Sequence, residues 1–226
     1  MAESKNGPLL LSIAVLGGTG REGSGLARRW ALNGYRVFIG SRDAEKAIRR
    51  AGEINAELGG DYVTGLSNTD AAQQATLAVL TVPYSAHRAT LEAVKPYLSG
   101  KILVDVTVPV EYPNLTTARV PEGKSAALEA QAILGEAVKV VSAFQNVSSA
   151  NLKDPNAPLN CDILVTGNDT DAKKEVIQLV EAAGMRGFDA GTLANSVAAE
   201  ALTPVLIYIN QTYKAKGAGI RIVNVD

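Results

Sequence analysis

The sequence predicts an α/β protein built on a doubly wound parallel sheet with a small C-terminal α/β extension. Three observations lead there. Strand-like and helix-like patterns alternate regularly along the chain. The strand-like runs are nearly continuous in Val, Ile and Leu, as expected where helices cover both faces of a sheet. A glycine-rich turn joins the first strand pattern to the first helix pattern.

The elements follow in order. Apolar runs of strand length fall at 11–16, 35–40, 62–65, 76–81 and 101–106. Between them, apolar residues recur at helical spacing over 21–33, 43–58, a short stretch at 69–74, and 85–97. After Val106 the pattern loosens through Pro109, Pro113 and Pro121. It resumes with a helix near 124–134 and a sixth strand at 139–144. A Pro/Asn-rich break at 153–160 then precedes a strand at 161–166, a helix at 170–183, a strand at 187–190 and a long helix at 192–215. Pro204 inside that last helix removes a backbone donor and predicts a kink. The section after about 150 reads as an added βαβα unit that extends the sheet or packs at its edge. We therefore divide the chain at 1–150 and 151–226.

Composition narrows the function classes. The 226 residues are 46% apolar and 20% charged, with a net charge of −1. That suits a globular protein and gives no basic excess for nucleic acid. The apolar run Pro8–Leu16, preceded by a short polar tail, is too short to cross a bilayer, so no membrane association is expected. Cys161 is the single cysteine and His87 the single histidine, so neither an intrachain disulfide nor a Cys/His metal site is expected. A cytoplasmic, metal-free protein is the simplest expectation.

The turn after the first strand carries the chemistry. Gly18-Thr19-Gly20-Arg21-Glu22-Gly23 matches G-x-G-x-x-G. Gly18 serves a tight turn, Gly20 lets backbone approach a pyrophosphate, and Gly23 lets helix pack on sheet. The helix it opens presents its positive end to the anion. With the following strand the motif completes a Rossmann-type dinucleotide unit, so residues 1–150 form the nucleotide-binding part. An NAD-preferring site usually ends its second strand in Asp or Glu, which binds the ribose hydroxyls. Here Gly40-Ser41-Arg42 stands instead, with Lys46 one helical turn on. A hydroxyl and a guanidinium bind the 2′-phosphate that a carboxylate would repel, so NADP(H) is the expected ligand.

In open α/β sheets ligands lie beyond the carboxyl ends of the strands. The residues there are Thr81-Val82-Pro83-Tyr84, Thr107-Val108-Pro109-Val110 and Gln145-Asn146-Val147-Ser148-Ser149. The two Thr-Val-Pro turns would hold stiff backbone toward the nicotinamide. No general acid or base stands out. His87 reads as a surface or helix-capping residue. Tyr97 and Lys101 match a Tyr-x-x-x-Lys pair by letter only, because the span leaves a helix, crosses Gly100 and enters a strand. Direct hydride transfer between two planar rings needs only that they be held face to face at about 3–3.5 Å.

Taken together, these residues resemble the NADPH-dependent reductases of coenzyme F420, an 8-hydroxy-5-deazaflavin. The resemblance runs from about Ser12 to Val223. It rests on Leu16–Gly20 with Gly23 and Gly25–Ala27, Ile39–Arg42 with Glu45 and Lys46, Val79–Pro83, Val140–Ala143, and Asp189–Ser196 followed by Glu200–Pro204. It implies F420H2:NADP oxidoreductase chemistry in a homodimer. Thr19, Gly20 and Arg21 would contact the pyrophosphate, and Ser41, Arg42 and Lys46 the 2′-phosphate. Thr81, Val82, Pro83 and Ala143 would meet the nicotinamide end. Gln145, Val147 and Ala218, the last within a 217–220 tail, would bound the deazaflavin, with residues 151–226 completing that cleft. Archaeal members place a histidine where this chain has Gln145, which can still donate to a ring oxygen. The domain is also similar to the cytosolic part of the six-transmembrane metalloreductases. An NADPH-dependent flavin or other small-molecule reductase, or a non-catalytic NADPH-binding sensor, is therefore the alternative.

Overall fold

A computed structural model describes residues 11–225. The polar tail and the start of the Pro8–Leu16 run lie outside the described residues. The order is β1 (Ser12–Leu16), α1 (Arg21–Leu32), β2 (Arg36–Ser41), α2 (Ala44–Leu58), β3 (Val63–Ser67), α3 (Asn68–Gln74), β4 (Leu77–Leu80), α4 (Tyr84–Val94) and β5 (Ile102–Asp105). Then come α5 (Ala126–Leu134), β6 (Lys139–Ser142), α6 (Ser149–Leu152), β7 (Asp162–Gly167), α7 (Thr170–Ala182), β8 (Arg186–Asp189) and α8 (Ser196–Tyr213). Every strand and helix read from the sequence is present, with ends moved by a few residues. The short α6 is additional.

The eight strands form one sheet in the order β3-β2-β1-β4-β5-β6-β7-β8. The first six reproduce the order of a dinucleotide-binding fold, whose crevice opens between β1 and β4. β1 is wholly buried from Ile13 to Leu16. Because successive side chains point to opposite faces, Ile13 and Val15 enter one core with Trp30 and Val79, while Ala14 and Leu16 enter the other with Leu80 and Leu91. This is why the strands read as unbroken apolar runs.

The C-terminal extension continues the same sheet but reverses it. β7 runs antiparallel to β6, with Val141 opposite Gly167, and β8 is parallel to β7. An apolar run carries no direction, so the reversal at β7 is a detail the structure adds to the doubly wound sheet with its C-terminal extension. The 153–160 break is also tied down. The buried guanidinium of Arg29 donates to the carbonyls of Ala183 at 3.0 Å, Asp154 at 2.6 Å and Ala157 at 3.0 Å. It staples the break and the end of α7 to α1. Trp30 adds a second link, donating from Nε1 to the Leu179 carbonyl at 2.8 Å. Pro204 lies inside α8 without ending it.

Candidate functional site

A cleft of about 820 Å³ opens beyond the carboxyl ends of β1, β2, β4, β5 and β6. α8 and the tail after it close its far side, through Thr203, Leu206, Ile207, Asn210 and Ala218.

At one end lies the glycine loop. Gly17 holds the turn at a φ of +74°, a left-handed conformation that glycine adopts without strain. The tight-turn role assigned to Gly18 is therefore shared with its neighbour. A Cβ on Gly18 would meet the Val15 carbonyl at 2.7 Å, and one on Gly23 would meet Thr81 Oγ1 at 2.5 Å and Gly18 Cα at 2.8 Å. Helix, loop and β4 meet there with no space between them. Gly20 differs: a Cβ would find only the Gly17 carbonyl, at 3.5 Å, so its outer side is open.

α1 is also uncapped. Side-chain oxygens of Asp43, Ser67, Ser125 and Asp169 cap α2, α3, α5 and α7, whereas Gly20 offers no side chain to the first-turn N–H groups of α1. Those donors face the cleft beside Thr19 and Arg21, as a pyrophosphate requires. Glu22 lines the same end, and burial pushes its carboxyl up to about 8.

Asn68 was not singled out from the sequence. Its Oδ1 accepts from the Gly17 N–H at 3.1 Å and so braces the loop from α3. Only a glycine at position 40 leaves room, because a Cβ there would lie 2.7 Å from that oxygen. The glycine that ends β2 thus admits the brace.

At the end of β2, Ser41 is buried and its Oγ accepts from the Asp43 N–H at 3.2 Å. Arg42 and Lys46 are exposed on the cleft rim and form no ion pair among the described residues. Two free cations on one rim suit a phosphate monoester.

The other end is apolar and small. Thr81, Val82 and Pro83 come from the end of β4, Val106, Thr107 and Val108 from β5, and Gln145 and Val147 from β6. The β6 turn is strained. Phe144, fully buried, sits at a φ of +73°, which costs a bulky residue about 1–2 kcal/mol. Its ring packs edge-on to Trp30 at 5.8 Å, and this holds the turn that swings Gln145 to Val147 toward the cleft. Tyr84 stands beside this end, but its hydroxyl donates to Glu129 at 3.0 Å and its pKa is raised to about 12, chiefly by burial.

Most residues expected at the site meet in this one cleft: Thr19, Gly20, Arg21, Ser41, Arg42, Lys46, Thr81, Val82, Pro83, Gln145, Val147 and Ala218. Gly18 and Gly23 lie behind the loop, Gly23 at the helix-to-sheet contact read for it and Gly18 against the Val15 carbonyl. Ala143 does not line the cleft; it is fully buried in the core beneath it. Gln145 is turned inward, with Nε2 donating to the Asp105 carbonyl at 2.7 Å, so one of its two donors is already committed. His87 is the clearest correction. It is neither surface nor cap but 1% exposed, with Nε2 2.7 Å from Asp105 Oδ2. The Lys101 ammonium is committed elsewhere than Tyr97, donating to the Ala72 carbonyl at 2.7 Å. Among the described residues there is no metal-binding cluster and no helix long and apolar enough to cross a membrane.

The tail is tied across the cleft. Asn210 Oδ1 accepts from the N–H groups of Gly217 at 3.2 Å and Ala218 at 2.8 Å, and Asn151 Nδ2 donates to the Gly217 carbonyl at 3.1 Å. Further along, Asp162 accepts from the Ile222 N–H at 2.6 Å and from Arg186 at 2.6 and 2.9 Å. The Arg186 guanidinium is the main cause holding the Asp162 carboxyl below its ordinary range.

Comparison with known proteins shows the family. The family model described as NADP oxidoreductase, coenzyme F420-dependent, matches residues 12–109. The F420-dependent NADP reductase of Methanocaldococcus jannaschii is 44% identical over 96% of this chain and 100% of its own length. That of Methanothermobacter marburgensis is 40% identical over 95% of this chain and 99% of its own. Among solved structures, the hypothetical protein SMa0349 from Sinorhizobium meliloti superposes with a TM-score of 0.69 at 25% identity, covering 85% of this chain and 88% of that one. The chain belongs to the F420-dependent NADP reductase family and is an NADP-dependent oxidoreductase.

Proposed function

We propose that this chain transfers hydride directly between NADP(H) and coenzyme F420, with the residues of the cleft in the roles set out here. The observation that carries the reading is the composition of the ring end. Among the described residues, Tyr84 is the only titratable side chain lining that end, and its hydroxyl is committed to Glu129. Such a wall positions rings and excludes water rather than moving protons. The chemistry of the bound pair is a hydride passed from C4 of NADPH to C5 of the deazaflavin, whose N1 takes a proton from water, or the reverse.

The protein's part is placement. First-turn N–H groups of α1, with Thr19, Gly20 and Arg21, hold the pyrophosphate. Ser41, Arg42 and Lys46 hold the 2′-phosphate. Thr81, Val82 and Pro83 seat the nicotinamide, with Ala143 supporting from beneath. Gln145, Val147 and Ala218 bound the deazaflavin. In this reading residues 1–150 bind NADP and residues 151–226 complete the deazaflavin side of the cleft through α8 and the tail. The exposed Val205 and Tyr208 on α8 support a homodimer joined through that helix, and we place the protein in the cytoplasm.

The test mixes purified protein with NADP+ and reduced F420 and follows nicotinamide and deazaflavin absorbance together. Stoichiometric exchange is expected. Turnover with FMN or FAD but not F420 would make it a flavin reductase. Tight NADPH binding without turnover on any acceptor would make it a sensor.

A further inference from the structure

His87 and Asp105 form a fully buried titratable pair that none of the roles above uses. Their side chains are 2% and 0% exposed. Asp105 ends β5 and acts as a junction. Its Oδ2 meets His87 Nε2 at 2.7 Å, and its Oδ1 accepts from the Thr107 N–H at 2.9 Å. Its main-chain carbonyl accepts from Gln145 Nε2 at 2.7 Å and from the Ala143 N–H at 3.3 Å. Thr107 Oγ1 in turn reaches the Val82 carbonyl at 3.5 Å. One residue therefore ties together the three strand-end turns that make the ring end of the cleft.

A buried polar pair of this kind is weak evidence for stability, because apolar side chains of similar volume often do as well. Leaving one partner without the other is strongly unfavourable. Without His87, the Asp105 carboxylate would face the core with a single N–H donor, and its side chain would turn to find another. That movement loosens the 106–108 turn and disturbs the carbonyl that holds Gln145.

We propose that His87 is a positioning residue for hydride transfer, acting through Asp105 to fix the 106–108 and 145–147 turns against the nicotinamide. The proposal rests on the reading of the ring end given above. His87 is buried behind the cleft and does not line it, so its effect is on geometry rather than on binding of the phosphates.

The chain's single histidine makes the test clean. In untagged protein labelled with ¹⁵N-histidine, the imidazole should give one tautomer with a protected N–H. NADP+ should shift that resonance, whereas 2′-phospho-ADP-ribose, which lacks the nicotinamide, should leave it in place. The shift does not depend on the acceptor, so a wrong acceptor assignment would appear as a normal shift without F420 turnover. An unmoved resonance alongside normal F420 turnover would overturn the positioning role.

Substitution supplies the second readout. His87→Leu should lower kcat for F420 reduction at least tenfold, with NADPH Kd within threefold of the parent protein. His87→Gln, whose amide reaches the position of Nε2, should recover most of that loss, and the shorter His87→Asn should not. Parental kcat in folded His87→Leu, or equal rates for the Gln and Asn variants, would overturn the proposal. If the Leu variant fails to fold, the comparison of Gln with Asn decides.

Discussion

Substituting Gly23 by alanine puts a methyl group where three elements meet. It would lie 2.5 Å from Thr81 Oγ1, 2.8 Å from Gly18 Cα and 3.2 Å from Val15 Cγ1. Thr81 cannot simply rotate away, since its hydroxyl donates to the Leu16 carbonyl at 3.0 Å. The Gly18 contact is with backbone, so the loop itself must shift. Overpacking of this kind costs about 1–3 kcal/mol, partly offset by the ~1 kcal/mol that alanine gains over glycine inside a helix. Gly52 in α2 isolates the second effect, because nothing lies within 4 Å of its hypothetical Cβ. Gly52→Ala should raise Tm by roughly 2–4 °C and leave NADPH binding unchanged. Gly23→Ala should lose that gain and weaken NADPH at least tenfold, by moving the N–H groups that hold the pyrophosphate. Calorimetry and fluorescence titration of NADPH measure the two quantities. A folded Gly23→Ala protein whose NADPH Kd stays within twofold of the parent would refute the packing argument.

Other substitutions address the remaining parts. Arg42→Ala removes two charge-assisted hydrogen bonds to a phosphate, so the ratio of kcat/KM for NADP over NAD should fall about 10- to 100-fold; an unchanged ratio would remove Arg42 from the 2′-phosphate site. Asn68→Ala takes away the brace on Gly17 and leaves a space under the loop, so NADPH should bind about fivefold or more weakly while Tm falls by only a few degrees. Glu200 concerns pH. It is buried on α8, accepts from the N–H groups of Ala126 at 2.7 Å and Ala127 at 3.1 Å, and burial raises its pKa from 4.5 to about 8 despite those donors. A raised carboxyl pKa means the folded state holds the proton more tightly than the unfolded one. That contribution to stability is complete below about 4.5 and is lost as pH rises through about 8. Thermal midpoints should therefore drop across this window, and Glu200→Gln should flatten the slope. Glu22, raised in the same direction by burial, should leave part of it behind.

The parts of this molecule legible in the sequence are those whose meaning is local. The glycine loop, the Ser41-Arg42 end of β2 and the turns after β4, β5 and β6 each declare themselves within a few residues, because backbone geometry and phosphate chemistry are set there. What stayed hidden depends on distant packing. His87 looks like any helix-face histidine until β4, α4 and β5 bring Asp105 against it, 18 residues on. Gly40 and Asn68 are informative only as a pair, one making space for the other. Ala143 looks like a strand-end residue facing ligand, yet the left-handed turn at Phe144 comes one residue later and leaves it in the core. The reversal of β7 had no local sign, since an apolar strand reads the same in either direction.

The Phe144 turn also sets a length. Its ring rests on Trp30, near the end of the helix that begins at the pyrophosphate loop. Trp30 is fixed in turn to α7 through its indole N–H. The phosphate end and the ring end of the cleft are thus two marks on one ruler, with α1 as the rigid piece between them. A dinucleotide must match that span to place its nicotinamide. A substitution at Trp30, far from any ligand atom, would change the calibration rather than either contact.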